Sequence, residues 1–500
     1  MEPLGTITND FPYLDDFSRT EMETAMREAS DYWDFSNNLG ARVCDNQSPP
    51  NLLFYTLLHA RSLVNVRLIN RIKKAYPQDS IAKPFYFHFE ESYVKLAPAI
   101  EGAINSTSNP AILFYLYDRQ YRSTEQGTIE EAKAQKKIES LLEQFNLSDA
   151  FKAYYSQRFG NRLRAEGHPE RAGEYYQSAL ELSRKADDRW HQVNILCLMA
   201  ELDAQYSTEF DCFRKARDYL REAREIAESL NDKAGIASIL QFITDTSYSR
   251  GNFSECIDTE LEAIGIMESF GGEIGAYAYN LSNSYSQVGE GKNALEWAKC
   301  ALVNYGPDPY RQSYAHMVMA RAFIELNRVD EAQQYLDTAK ELIHHSGLDY
   351  AFAQWHQTNG RLERLRGDFD AAMDELQIAY EINERFNRYA RLRSCLHDLV
   401  LTELVLFNPS KETNQSEQSG PWMKKMELMC EKNDIPGYSG FLSLVKSELR
   451  VKQGRYSEAI EILDELIEFS NNPSLRHIHN KALEFRERII MEGTSRPSSK

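Results

Sequence analysis

Three short segments carry residue types that bind phosphates or catalyse reactions in other proteins. The GEGKN segment at 289–293 lacks the first glycine and the hydroxyl residue of a phosphate-binding P-loop. The FGGEIG segment at 270–275 has no apolar strand before it, so both segments predict turns rather than phosphate cradles. The GYSG segment at 437–440 lacks the glycine spacing of a nucleophile elbow. The sequence therefore predicts a protein that is not an enzyme.

Histidine pairs are the next candidates, because imidazole is a common metal ligand. Among eleven histidines, the close pairs are His344 with His345 and His477 with His479. Neither pair has cysteine or carboxylate partners at metal-ligand spacing, and neighbouring residues on a helix point to different faces. We expect neither a metal site nor a cofactor. The seven cysteines are scattered without a C-x-x-C pair, which is typical of reduced thiols.

Composition excludes several function classes. Among 500 residues, 57 Lys and Arg against 75 Asp and Glu give a net charge of −18, which argues against a general nucleic-acid binder. The 28 Tyr and 24 Phe exclude a chain that is disordered throughout. The sequence contains no long apolar run and no basic region followed by an apolar one at its start, so we expect a cytoplasmic protein without membrane insertion.

A phrase of glycine, then alanine five and twelve residues later, recurs along the chain, in four clear and four degenerate copies. The central positions of these copies are Ala132, Ala172, Ala216, Cys256, Ala294, Ala332, Ala372 and Ala459. Successive positions lie 38 to 44 residues apart, except for a last gap of 87 residues. That gap predicts a ninth unit at 386–434, with helices at 396–407 and 422–430 and a polar loop insertion at 408–420.

The pattern has a physical reason. Twelve residues before most central positions lies another small residue, such as Gly160 or Gly360, and two antiparallel helices approach closely where small side chains face each other. A unit of about 40 residues holds two helices of about 16 residues and two turns. One unit cannot bury its apolar face alone, whereas stacked units can. The sequence thus predicts an all-α, right-handed superhelical solenoid of antiparallel helix pairs.

Three phrases resemble the tetratricopeptide repeat (TPR) signature: those at 280–302, 365–382 and 451–466. The resemblance covers about residues 107–470, and the period near 40 is similar to that of the longer TPR units of kinesin light chains and MalT-like bacterial regulators. It implies a non-catalytic scaffold or adaptor that binds a protein or peptide partner.

The flanking segments complete the predicted organisation. Residues 1–50 form an acidic segment with one helix at 19–35, and residues 51–106 form a divergent capping pair, its helices at 51–75 and 84–105. Residues 471–491 are expected to form a C-terminal capping helix with a charged outer face, and residues 492–500 a disordered tail. The sequence neither requires nor excludes a homo-oligomer.

The TPR resemblance implies that the first helix of each unit lines a concave groove. Counting back from the central positions assigns to this groove Tyr154, Gln157, Arg158, Asn161, Arg164, Gln241, Asp245, Tyr279, Asn280, Asn283, Tyr314, Arg321, Gln357, Arg361 and Arg364. Asparagine can bind a peptide backbone with donor and acceptor, and arginine can hold a carboxylate with two hydrogen bonds. We predict a groove for an extended or helical segment with acidic character; the alternative is that these residues form the solvated face of each helix.

Some TPR proteins hold acidic C-terminal tails of chaperones in a clamp of lysines and asparagines. Asn161 and Asn283 occupy the asparagine position of that clamp, but Gln157 and Tyr279 stand where its lysines would be. A chaperone role of that type is therefore not indicated. A second hypothesis is a regulatory sensor whose solenoid binds a peptide or small ligand and controls an effector in trans. The identity of the partner stays open.

Overall fold

The computed structural model describes residues 16–29, 32–45, 50–62, 66–86, 93–123, 133–134, 136–138, 140–141, 149–165, 167–207, 211–306, 309–346, 349–407 and 420–494. These residues form α-helices and two short 3-10 helices, with no β-strand among them. The predicted repeat copy centred on Ala132, nearly all of the loop insertion and the last six residues lie outside the described residues.

The N-terminal part is a compact group of six helices and one 3-10 turn. They are α1 (Asp16–Glu28), α2 (Tyr32–Asp45), α3 (Pro50–Ser62), α4 (Val66–Ala75), the 3-10 helix Lys83–Tyr86, α5 (Tyr93–Ile104) and α6 (Pro110–Ser123). Phe85 stacks on Tyr115 with ring centroids 4.9 Å apart, and Phe54 meets both rings edge-on. The pattern at 19–35 predicted one helix, whereas the chain forms α1 and α2 there.

The described residues that follow form eight helix pairs. The pairs are α7 (Asp149–Ala165) with α8 (Pro169–Lys185), α9 (Arg189–Tyr206) with α10 (Cys212–Ser229), α11 (Lys233–Ser249) with α12 (Phe253–Ser269), α13 (Gly275–Val288) with α14 (Gly291–Asn304), α15 (Pro309–Glu325) with α16 (Val329–Ser346), α17 (Asp349–Arg366) with α18 (Phe369–Arg385), α19 (Tyr389–Leu406) with α20 (Pro421–Lys432), and α21 (Pro436–Lys452) with α22 (Tyr456–Phe469). The predicted all-α solenoid of TPR-like helix pairs is confirmed.

The small residues of the repeat act as the pattern predicts. The central residues from Ala172 to Ala459 are fully buried. A side chain on Gly360 would overlap Leu376 and come within 3.1 Å of the Ala372 carbonyl, so the two helices of that pair touch through their backbones. Gly289 and Asn327, which end the first helix of their pairs, have left-handed backbone angles of 88° and 56° in φ.

The solenoid closes across its own axis. Helix α19 contacts both α9 and α11, which belong to pairs five and four positions earlier in the array. At this closure the Gly437 amide donates to the Arg250 carbonyl at 3.1 Å, and the Arg250 guanidinium pairs with the Asp434 carboxylate at 2.8 Å. Gly251 lies directly against Gly437. We call these four residues the closure contact.

The last helix extends the same closure. After the 3-10 helix Pro473–Leu475, α23 (Arg476–Thr494) packs against α12 as well as against α21 and α22. The His477 amide donates to the Ser254 hydroxyl at 3.0 Å, and Arg476 pairs with Asp258 at 3.2 Å. The sequence pattern predicted α23 as a terminal cap with a solvated face, whereas its first turn also contacts α12 of the third pair. Among the described helices, none is long and apolar enough to cross a bilayer.

Replacing Gly437 by alanine is expected to break the closure contact, because the new Cβ would overlap the Gly251 carbonyl. We expect a loss of about 1 to 3 kcal/mol in the free energy of unfolding, measured by urea denaturation. Gly265→Ala is the matched control: this exposed glycine of α12 has nothing within 4 Å of a built Cβ, so we expect a gain of about 0.5 to 1 kcal/mol. Equal effects of the two substitutions would show that the closure contact does not form in solution.

Candidate functional site

The three segments that carry residue types of catalytic motifs form turns or the start of a helix. GEGKN spans the turn between α13 and α14, and FGGEIG spans the turn before α13. GYSG lies in the first turn of α21 and contributes Gly437 to the closure contact. His477 approaches Ser254, and His479 approaches the Ile467 carbonyl. Among the described residues, no cluster of three or more His, Cys, Asp or Glu is arranged to hold a metal ion.

Most of the predicted groove residues form hydrogen bonds or ion pairs with side chains of other helices. Asp398 on α19 is the centre of one network: Arg361 Nε and Gln357 Nε2 each donate to Asp398 Oδ2 at 2.7 Å. Arg364 reaches Asp398 Oδ1 at 3.3 Å. Burial alone would raise the pKa of Asp398, but Arg361 together with its other neighbours holds it well below its ordinary value. The network therefore contains a permanently charged carboxylate between two guanidinium groups.

A second network joins three successive pairs. Arg321 on α15 donates from Nη1 to Asn283 Oδ1 at 2.6 Å and from Nε to Thr358 Oγ1 at 2.9 Å. Only 3% of Arg321 is exposed. Because these contacts bind α13, α15 and α17 together, Arg321 and Asn283 stabilise the stack in this conformation and do not face an open groove.

The predicted residues of α7 are engaged at the N-terminal end of the array. Arg158 pairs with Asp118 of α6 at 2.6 Å, and Asn161 accepts a hydrogen bond from the Tyr176 hydroxyl at 2.7 Å. Arg164 pairs with Glu201, and Gln157 contacts His191. Tyr154, half-buried, lies with its ring 6.0 Å from that of His191. This group attaches the N-terminal helices to the solenoid.

The remaining predicted residues surround a cavity of about 550 Å³, which we call the axial cavity. Gln241, Tyr279, Asn280 and Tyr314 line it from α11, α13 and α15. The structure adds residues that the sequence analysis did not assign: Asn194, Tyr277, Tyr305, Arg311, Gln354, Arg388 and Arg391. Arg388 and Arg391 come from the start of α19, on the opposite side of the axis. Only the closure brings them to this wall, so no signal within one repeat could have identified them.

The axial cavity has a cationic and amide-rich wall. Its three arginines, Arg311, Arg388 and Arg391, outnumber its two carboxylates, of which Asp232 accepts the Gly235 amide at 2.8 Å and Glu273 accepts the Arg67 amide at 2.8 Å. In the amide orientation that satisfies both ends, Gln354 accepts from the Arg391 guanidinium at 3.0 and 3.2 Å and donates to the Tyr279 hydroxyl at 3.1 Å. The arrangement suits a polar ligand that carries a carboxylate and peptide-like groups.

A buried acid, Glu260, and a half-buried one, Asp245, lie on the helices that line this cavity. Glu260 accepts from Asn280 Nδ2 at 3.2 Å, and burial raises its pKa well above the ordinary value. Asp245 follows Gln241 by one helical turn, on the same face of α11. Burial, with a smaller contribution from the charge of Glu201, raises the pKa of Asp245 to about 7. Asp245 therefore changes its charge near neutral pH.

A second cavity, of about 560 Å³, lies beside the closure contact. We call it the closure cavity. Arg361 and Arg364 reach its wall from α17, and α23 contributes His477 and Lys481. Of the fifteen predicted residues, the structure thus brings four to the axial cavity and two to the closure cavity. The others, apart from Asp245, belong to the networks described above.

Comparison with known proteins gives only distant similarity. No family model matches the chain, and no curated protein matches it. A Rap protein in complex with Competence and Sporulation Factor is similar with a TM-score of 0.41 and 14% identity, over 77% of this chain and 98% of that one. Yeast Tom70 gives a TM-score of 0.35 and 12% identity, over 97% of this chain and 98% of its own.

Substituting Asp245 by asparagine is expected to stabilise the protein in a pH-dependent way. Because the folded-state pKa of about 7 lies above the ordinary 3.8, the folded protein favours the protonated acid. The resulting penalty is absent well below pH 4, grows as the pH rises from about 4 to about 7, and is nearly constant above that. Urea denaturation should therefore show Asp245→Asn more stable than the wild type by about 1 to 4 kcal/mol at pH 8, and by clearly less at pH 4.5.

The exposed Asp218→Asn variant on α10 is the control, and its effect should not change in this way between the two pH values. A constant effect of Asp245→Asn at pH 4.5 and pH 8 would contradict the raised pKa.

Proposed function

We propose that this chain is a non-catalytic protein-interaction adaptor that binds a short extended peptide segment of a partner in the axial cavity. The observation that carries the proposal is the composition of that wall. Amide, tyrosine and arginine side chains from α9, α11, α13, α15 and α19 line one cavity. The chain as a whole has a net charge of −18, so the positive charge of this wall is a local feature of the cavity.

The size of the cavity suits a compact ligand. The axial cavity provides about 550 Å³. That volume lies in the range of pockets that enclose compact ligands. A few residues in extended conformation, such as the end of a chain, fit this space.

The wall chemistry favours a peptide with acidic character. Asn194, Gln241 and Asn280 each offer a donor and an acceptor, as an extended backbone requires. Arginine can hold a carboxylate through two charge-assisted hydrogen bonds, and Arg388 and Arg391 provide that group on the α19 side. The tyrosine rings supply flat contact surface with a polar edge.

A regulatory sensor that acts in trans is the second candidate, favoured by the position of the cavity. Its wall joins α11, α13 and α15 to α19, which meet only because the superhelix is closed. A ligand that touches both sides binds the closed conformation more tightly than an open one and shifts the population toward it. Such a ligand would change the surface that the solenoid presents to an effector.

The test uses hexapeptides selected from a random display library on the wild-type chain, with affinity measured by isothermal titration calorimetry. We expect selected sequences to contain an acidic residue or a free C-terminal carboxylate. Arg391→Gln should weaken their binding by about 10- to 100-fold, since a charge-assisted hydrogen bond contributes about 1.5 to 3 kcal/mol.

Arg217→Gln on the exposed face of α10 removes one positive charge outside the cavity and should leave the affinity unchanged. Circular dichroism checks that both variants keep their helices. If Arg391→Gln binds the selected peptides as tightly as Arg217→Gln does, the axial cavity is not the binding site.

A further inference from the structure

The closure cavity differs in chemistry from the axial cavity. Four cations line it, Arg361, Arg364, Lys481 and Arg488, and four carboxylates, Glu325, Asp398, Glu448 and Glu484. These charges balance, so the cavity as a whole favours neither a pure anion nor a pure cation. A molecule with one charge of each sign would fit that balance.

Five of these charges form no ion pair or hydrogen bond with any residue that the structure describes, and two of the five are opposite charges on different helices. Arg361 and Arg364 both form ion pairs with Asp398, as described above. By contrast, Lys481 on α23 and Glu325 on α15 form no ion pair or hydrogen bond with any residue that the structure describes. Partial burial lowers the pKa of Lys481, whose side chain is also exposed to solvent, and burial raises the pKa of Glu325. Each charge would gain stability from a counter-charge placed between them.

A third polar group faces the same space. His477 precedes Lys481 by four residues, so both side chains lie on one face of α23. His477 Nδ1 lies 3.1 Å from the Ser254 hydroxyl, while its buried Nε2 has no hydrogen-bond partner among the described residues. Burial lowers the pKa of His477 to about 3, so the ring is neutral at physiological pH. If Nδ1 accepts from Ser254, then Nε2 carries a hydrogen that can donate to a ligand.

The other side of the closure cavity is apolar. Leu401 of α19, Phe441 and Leu444 of α21 and Phe485 of α23 line it. Phe441 also packs on the ring of His397, with centroids 3.8 Å apart. This wall can bury an aliphatic or aromatic side chain while the charged ends of the same molecule stay at the polar wall.

We propose that the closure cavity binds a small zwitterion with an apolar side chain, namely a free apolar amino acid or a short apolar peptide. Its ammonium group pairs with Glu325, its carboxylate accepts from Lys481 and His477 Nε2, and its side chains contact Phe441 and Phe485. This site does not depend on the peptide binding proposed for the axial cavity. The ligand bridges α15 and α23, so it stabilises the closed superhelix.

The experiment titrates the full-length chain with the dipeptide leucyl-phenylalanine and with L-leucine, and follows the unfolding temperature and the heat of binding. We expect a saturable rise of the unfolding temperature with the dipeptide, because a ligand of the folded state stabilises it by mass action. N-acetyl-leucyl-phenylalaninamide, which keeps the side chains and lacks both charges, should bind at least tenfold more weakly. Lys481→Met and Glu325→Gln should each weaken the dipeptide at least tenfold.

Matched controls locate the effect. Glu487→Gln on the outer face of α23 and Lys292→Met on α14 remove the same charges elsewhere and should leave dipeptide binding unchanged. Arg391→Gln in the axial cavity should also leave it unchanged, which separates this proposal from the proposed function. Equal binding of the capped dipeptide, equal binding by Lys481→Met and Glu325→Gln, or no binding by the wild type would each overturn the proposal.

Discussion

Buried polar side chains along the superhelical axis decide how this helix array is arranged. A buried charge without a partner is costly, and a buried carboxylate held by two guanidinium groups keeps its charge. Asp398 lies 1% exposed between Arg361 and Arg364, so α17 and α19 are joined at that point. Arg321 joins α13, α15 and α17 through hydrogen bonds to the neutral side chains of Asn283 and Thr358. Because these side chains bond to partners on neighbouring first helices, those helices face one another and the groove closes.

Closure explains why the molecule offers cavities rather than one continuous surface. The contact between Gly251 and Gly437 brings two backbones together where no side chain fits, and α23 continues it along α12. On one side of this contact, α19 completes the amide and arginine wall of the axial cavity. On the other, α23 completes the balanced charges of the closure cavity. A ligand in either cavity touches helices from both halves of the closed superhelix, so binding and closure are energetically linked.

The sequence predicts the parts of this structure that depend on local spacing. Small residues such as Gly360 and Ala372 identify the helix pairs because close packing requires them, and Gly289 and Asn327 end first helices because they accept left-handed backbone angles. The repeat pattern also predicts which residues face the superhelical axis. It does not predict the residues that they contact across the axis, because the closing contacts join residues 144 to 223 positions apart, as in the contact of Ser254 with His477. No pattern within one repeat encodes such a pairing.

Small-angle X-ray scattering of the full-length chain tests the closed superhelix most directly. A compact chain of 500 residues has a radius of gyration of about 23 Å. Closure through Arg250, Gly251, Asp434 and Gly437 predicts a value within about a quarter of that figure, and an increase in the Gly437→Ala variant. An elongated particle, with a radius of gyration larger by half or more and unchanged by that substitution, would contradict the closure on which both cavities depend.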